Sequence, residues 1–123
     1  MLDDDISNTN GPTVAELDGT MTLIIGDSSK HYYRYDYDPA TGTVGERSVF
    51  GDVSALGPNG TPGVPDGAAL DSDGGLWCAL PRSGSLVRFT SAGLDGRIDL
   101  PFENPTDVAF GGPDLDRLYV VAI

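Results

Sequence analysis

The chain repeats itself, and the repeat limits its fold more than any other feature. Asn10-Gly11 returns as Asp66-Gly67, Asp18-Gly19 as Asp73-Gly74, and Arg34-Tyr35 as Arg88-Phe89. A third copy runs from Pro105-Thr106 through Phe110-Gly111-Gly112 to Leu118-Tyr119-Val120. Leu76-Trp77 and Leu118-Tyr119 lie 42 positions apart, and the 55 positions between Asp18 and Asp73 include a Gly- and Pro-rich loop from Gly51 to Val64. A period of roughly 40–45 residues with about four strands per unit is the signature of a propeller blade. The expectation is therefore an all-β chain, a β-propeller of about two and a half blades forming one domain over residues 1–123. The blades fall at approximately 10–52, 65–101 and 105–123, the last incomplete.

Local patterns place the strands. The first unit reads as strands near Thr13–Leu17, Met21–Gly26, His31–Tyr37 and Gly45–Phe50. Tyr33, Tyr35 and Tyr37 alternate with Arg34 and Asp36, the period of a half-buried strand. Asp38-Pro39-Ala40-Thr41-Gly42 then reads as a hairpin turn, with Pro pre-setting φ and Gly free to take a positive one. The second unit has strands near Gly67–Leu70, Leu76–Leu80, Ser85–Thr90 and Gly96–Leu100, and the third has Asp107–Phe110 and Arg117–Ala122. Leu76, Trp77, Leu80, Val87, Phe89, Phe110, Leu118 and Val120 are the expected packing between blades. A ring of this kind needs at least four blades, so the chain is expected to be a piece of a longer propeller or to associate through its open strand edges.

Charge and cysteine usage narrow the function classes. The formal net charge is −12, with a pI near 4.1. That excludes nucleic acid and anionic membrane surfaces as partners, since both need basic patches. It suits cations and neutral small molecules, and it also serves solubility alone. The single cysteine, Cys78, permits no intrachain disulfide and implies a reducing, cytoplasmic setting. The start, Met1-Leu2-Asp3-Asp4-Asp5, is acidic with no apolar run behind it, unlike a secretory leader.

Asn10 and Asp66 are the candidate site residues. They hold equivalent positions at the start of the inner strand of adjacent units, so their side-chain oxygens are expected to approach each other at one end of those strands. Each also fits an ordinary Asx-Gly turn. Asp71 and Asp73 form Asp-x-Asp-Gly, but the twelve-residue calcium loop with its closing Glu is missing, so a hairpin turn explains them better. His31, the only histidine, has no Ser or Cys motif beside it and is expected on an exposed hairpin. Cys78 is expected as a buried small hydrophobe. The loop from Gly57 to Gly63 leads to Asp66 and is expected on the same face.

Several of these motifs together carry a family resemblance. Thr9-Asn10-Gly11-Pro12, Tyr35-Asp36-Tyr37-Asp38-Pro39-Ala40-Thr41-Gly42, Pro65-Asp66-Gly67, Asp71-Ser72-Asp73-Gly74-Gly75-Leu76-Trp77, Pro105-Thr106 and Phe110 to Val120 fall in the order of the regucalcin (senescence marker protein) and gluconolactonase family. The resemblance implies a six-bladed propeller with one divalent metal, Ca²⁺ or Zn²⁺, at the top of its channel, and hydrolysis of sugar lactones to aldonic acids. By position, Asn10 and Asp66 match two of that family's three metal ligands, with Asp66 also a candidate general base. The third, a Glu, and the family's substrate-binding Arg and Asn have no match here, which implies a C-terminal-half fragment with little activity of its own. Two local departures stand out: the stretch from Asn10 to Asp27 is a residue or two longer, and Val121-Ala122 replace the family's Thr-Ser. The competing expectations are a non-catalytic calcium-binding regulatory propeller and a pure interaction scaffold.

Overall fold

The computed structural model describes residues 3–123, so Met1 and Leu2 of the acidic start lie outside the described residues. Ten strands form three antiparallel sheets in chain order. The first sheet holds β1 (Thr9–Leu17), β2 (Thr20–Asp27), β3 (Tyr32–Asp38) and β4 (Thr43–Gly51). The second holds β5 (Ala68–Leu70), β6 (Leu76–Leu80), β7 (Ser85–Thr90) and β8 (Gly93–Asp99). The third pairs β9 (Pro105–Gly111) with β10 (Arg117–Ala122). Each four-stranded sheet is a meander in which neighbours in sequence are neighbours in space, as short hairpin turns require.

All ten expected strands are present, and the differences sit at strand ends. β1 starts at Thr9, not Thr13, because its ladder with β2 survives a bulge between Asn10 and Thr13. Gly11 takes φ +53 there, and Pro12 has no N–H to donate. β8 starts at Gly93, not Gly96, after a turn in which Gly93 takes φ +107. The loop between β4 and β5 adds only a single 3₁₀ turn, Pro58–Gly60.

The sheets stack face to face. The main core lies between the first two and contains Leu17, Ile24, Tyr32, Phe50, Val53, Leu76, Cys78, Leu80, Val87 and Phe89. A smaller one, Ala79, Leu86 and Val108, lies between the second and third, with Trp77, Leu118 and Val120 partly buried around it. Of the expected packing residues, Phe110 is half-buried and belongs to none of these clusters. Its backbone is in the ladder, but its ring borders an open cleft with Leu70 and Leu115. The far face of the first sheet, built from Leu23, Ile25, Tyr33 and Tyr35, is covered by Ile6. Asp3 and Asp5 pin that covering segment to Arg47, whose guanidinium lies 4.5 Å from the Tyr33 ring centre.

His31 corrects the expectation of an exposed hairpin. It sits half-buried in the β2–β3 turn, edge-on to Tyr33, and its Nδ1 accepts a hydrogen bond from the Val53 N–H at 3.4 Å. The chain after β4 folds back over this turn, which no local pattern around His31 announces. Asp71 behaves as the turn residue expected of it. Its carboxylate accepts from the Asp73 and Gly75 N–H groups, the Trp77 indole and the Arg88 guanidinium. Those donors overcome the opposing effect of burial and hold its pKa down to about 2. Among the described residues, no helix is long and apolar enough to cross a membrane.

Candidate functional site

Strand register puts several loops at one end of the stack. β1 begins at Thr9, which pairs with Asp27 at the end of β2, and Tyr32 at the start of β3 pairs with Gly51 at the end of β4. The Asn10 end therefore also carries the Asp27–His31 turn and the long loop leading to Asp66. The loop before Asp66 is anchored there by the Val53 N–H on His31 Nδ1 and by the Gly63 N–H, which donates to the Val53 carbonyl at 2.7 Å.

The segments that carry the two candidate residues meet where the first sheet packs on the second. Gly11 faces the Asp66–Ala68 backbone so closely that a Cβ on it would stand 2.8 Å from the Ala68 nitrogen and 3.2 Å from the Asp66 carbonyl oxygen. Only glycine permits both this approach and the positive φ. The Asn10 amide nitrogen donates to Ser28 Oγ at 2.5 Å and to the Pro65 carbonyl at 3.4 Å. Ser28 Oγ donates in turn to the same Pro65 carbonyl at 2.9 Å. These contacts fix the amide orientation, because a flipped amide would set its oxygen against the Pro65 carbonyl, acceptor against acceptor. The Asn10 carbonyl oxygen then takes no hydrogen bond among the described residues.

Asp66 is held by its backbone and left free at its carboxylate. Its N–H donates to the Tyr32 hydroxyl at 2.9 Å and to the Ala79 carbonyl at 3.3 Å, and its own carbonyl accepts from the Tyr32 hydroxyl at 2.8 Å. No described side chain donates to the carboxylate. Burial raises its pKa above the ordinary aspartate value; the Gly67 N–H opposes that shift and the nearby Asp107 charge adds to it. Tyr32 is fully buried, and burial pushes its phenol pKa well up, so it remains a neutral hydroxyl that both donates and accepts.

Two oxygen donors of this kind suit a hard divalent cation, and the lack of nitrogen or sulfur donors favours Ca²⁺ over Zn²⁺. Among the described residues, no group of three or more His, Cys, Asp or Glu side chains is placed to hold a metal. Cys78, buried and with its pKa pushed up by burial, takes no part in such a site. Sequence reasoning missed Tyr32; it reads Asp27-Ser28 as a strand-end cap able to approach the channel, but not as a ligand or as the partner of Asn10. Ser28 stands beside Asp27, at the end of β2 next to β1, which was a usable signal. Nothing local marks Tyr32, because its partner lies 34 positions away.

The chain is similar in sequence and in fold to known proteins. A pentonolactonase of Haloferax volcanii is 48% identical over 89 residues, covering 72% of this chain and 29% of its own length. A 6-deoxy-6-sulfogluconolactonase of Pseudomonas putida is 40% identical over 99 residues, covering 78% of this chain and 32% of its own length. The solved structure of a calcium-binding protein, regucalcin, of Agrobacterium tumefaciens superposes with a TM-score of 0.78 at 31% identity, over 94% of this chain and 38% of that one. The chain thus spans about a third of the length of these relatives. A family model described as the SMP-30/Gluconolactonase/LRE-like region matches residues 1–123, the whole sequence, and the chain belongs to that family.

Proposed function

We propose that this chain forms part of a metal-dependent sugar-lactone hydrolase built as a six-bladed propeller, of which its three sheets are consecutive blades. The observation that carries the reading is Asp66: a carboxylate partly withdrawn from water, unpaired by any described side chain, and one residue beyond the Pro65 carbonyl that the Asn10 amide contacts across the two sheets. Lactonase relatives support the reaction class.

In this reading Asn10 and Asp66 supply two oxygen ligands to a cation. A divalent cation held there would supply Lewis-acid polarisation of the lactone carbonyl and would make a nearby water more acidic. Asp66 takes a proton from water as its oxygen bonds to the carbonyl carbon. The ring C–O bond breaks, the ring oxygen takes up the proton, and the product is the aldonic acid. The raised proton affinity of Asp66 has the sign a general base near neutral pH needs. The substrate is a neutral sugar lactone, consistent with a chain of net charge −12, and the setting is cytoplasmic.

A second reading, a calcium-binding protein without turnover, is favoured by the calcium-binding description of the Agrobacterium relative. One experiment separates the two. Hydrolysis of an aldonolactone panel is followed with added Ca²⁺ or EDTA, alongside calorimetric Ca²⁺ titration. Turnover that depends on the cation and on Asp66 supports the hydrolase. Cation binding without turnover in a chain that includes all its blades supports the second reading. With two inferred ligands this chain alone is expected to bind weakly and turn over poorly, because ligand charge and site rigidity set affinity. Self-association through the unpaired β10 edge is part of the proposal, since Tyr119 and Val121 beside it are 54% and 59% exposed.

A further inference from the structure

We propose that Tyr32 and Ser28 are positioning residues that hold Asn10 and Asp66 in register across the junction of the first two sheets. The proposal rests on the reading of that pair as cation ligands. Neither residue is placed to touch the cation. Each instead satisfies backbone or amide groups that would otherwise let the pair drift apart.

Tyr32 does this for Asp66. One phenol oxygen accepts from the Asp66 N–H at 2.9 Å and donates to the Asp66 carbonyl at 2.8 Å, so both backbone polar groups of one residue close on one side chain. The ring cannot move to release them. It is fully buried and packs against Phe89 with centroids 6.4 Å apart. It also lies against Gly26, whose Cβ, if present, would stand 3.0 Å from the ring and 3.1 Å from the Asn10 backbone carbonyl oxygen. Asn10, Gly26 and Tyr32 are successive cross-strand partners at one level of the sheet. Gly26 is therefore the gap that allows a residue of β3 to reach past β1 to the next sheet.

Ser28 does the same for Asn10. Its hydroxyl takes the Asn10 amide hydrogen and passes its own to the Pro65 carbonyl, one residue before Asp66. The amide nitrogen is thereby committed and the carbonyl oxygen is left for a ligand. The two hydroxyls tie the first sheet to the consecutive residues Pro65 and Asp66, one on each. Partners that orient metal ligands in this way typically matter about 10- to 100-fold in affinity.

The test is Ca²⁺ titration by calorimetry of the 123-residue chain and of Tyr32→Phe, Ser28→Ala, Ser28→Thr and Tyr35→Phe, with Asp66→Ala as the null. Tyr32→Phe and Ser28→Ala should each weaken Ca²⁺ binding by roughly 10-fold or more. Ser28→Thr keeps the hydroxyl and should bind like the wild type. Tyr35→Phe removes a buried phenol whose hydroxyl bonds Asp3 on the opposite face, and it should leave binding unchanged. Wild-type affinity in both Tyr32→Phe and Ser28→Ala overturns the proposal. If the wild type binds no Ca²⁺, the ligand reading fails, and amide hydrogen exchange then decides the positioning role by itself. Tyr32→Phe should speed exchange of the Asp66 amide selectively; an unchanged Asp66 rate overturns the proposal.

Discussion

The molecule makes the same sheet-on-sheet junction twice and fills it differently. At the first junction Gly11 meets Asp66 and Ala68; at the second Gly67 meets Asp107, whose Cα would stand 2.7 Å from a Cβ on that glycine. The geometry is shared, but the first encloses ten buried residues and the second only three. The chemistry differs as well. At the first junction a neutral amide and two hydroxyls face the Pro65–Asp66 backbone. At the second, Asp107 places a second negative charge near Asp66. One repeat therefore yields a thick seam matched by side-chain hydroxyls and a thin one joined mainly by backbone hydrogen bonds, with two carboxylates near each other. Asp66, which belongs to both, is held through its backbone by the first, and the Asp107 charge at the second adds to the burial that raises its pKa.

The largest expected effect tests the difference in core. Phe89→Ala empties part of the first junction and should cost about 3–5 kcal/mol. Val108→Ala at the second should cost about 1.6 kcal/mol, from two buried methyl-sized groups at about 0.8 each. Urea denaturation midpoints compare them, and equal losses would erase the asymmetry. Next comes Gly67→Ala, which tests whether the thin seam is nonetheless tight. The added carbon meets the Asp107 backbone, which moves only with β9, so a loss of about 1–3 kcal/mol is expected. A change near zero would show the third sheet free to slide.

A smaller effect uses pH and the far end of the second sheet. The Asp71 carboxylate is lowered to about 2 in the folded state, so it contributes stability that is complete above the ordinary aspartate range and is lost as pH falls toward about 2. The contribution is about 1–2 kcal/mol once solvent screening is allowed for. Asp71→Asn should remove that acid-sensitive part of the stability profile and leave Ca²⁺ binding unchanged, because Asp71 lies in a turn at the opposite end of the sheet from Asp66. Altered Ca²⁺ binding would mean that the two ends are coupled.

The smallest effect is the most specific to the two carboxylates at the second junction. Asp66→Asn and Asp107→Asn each remove one of two like charges. Each should raise the thermal midpoint of the metal-free chain by about one to a few degrees. The double variant should gain less than the sum, since one repulsion cannot be relieved twice. Added Ca²⁺ should raise the midpoint of the wild type but not of Asp66→Asn. If Asp66→Asn lowers the metal-free midpoint, the carboxylate has a stabilising partner and is no vacant ligand.

Much of the fold was legible because its determinants are local. The Tyr33-Tyr35-Tyr37 alternation marks β3 and the buried far face of the first sheet. Asp71 and Gly74 announce the β5–β6 turn, and the glycine indeed takes φ +79. That the Asn10 segment lies against the Pro65-Asp66 segment was legible for another reason, since equivalent positions of a repeat come together when its units stack. Tyr32 was not. The alternation that identifies its neighbours only says that it faces the other side, and its hydroxyl finds its partner in another sheet. His31 failed likewise, because the chain that covers it comes from beyond β4. Phe110 failed in the opposite sense: its pattern reads as core, yet it ends beside an open cleft.

The amino-acid order alone determined the strands, their turns and the three-fold recurrence. Those properties follow from backbone preferences and a hydrophobic period, which act over a few residues and need no knowledge of neighbours. The tertiary structure decided which junction is thick and which is thin, and that a phenol from β3 grips Asp66 through the gap left by Gly26. It also decided that Ser28 turns the Asn10 amide so that its oxygen is left over. These depend on how two sheets sit against each other, where hydrogen bonds require a few tenths of an ångström and a single missing Cβ opens the path.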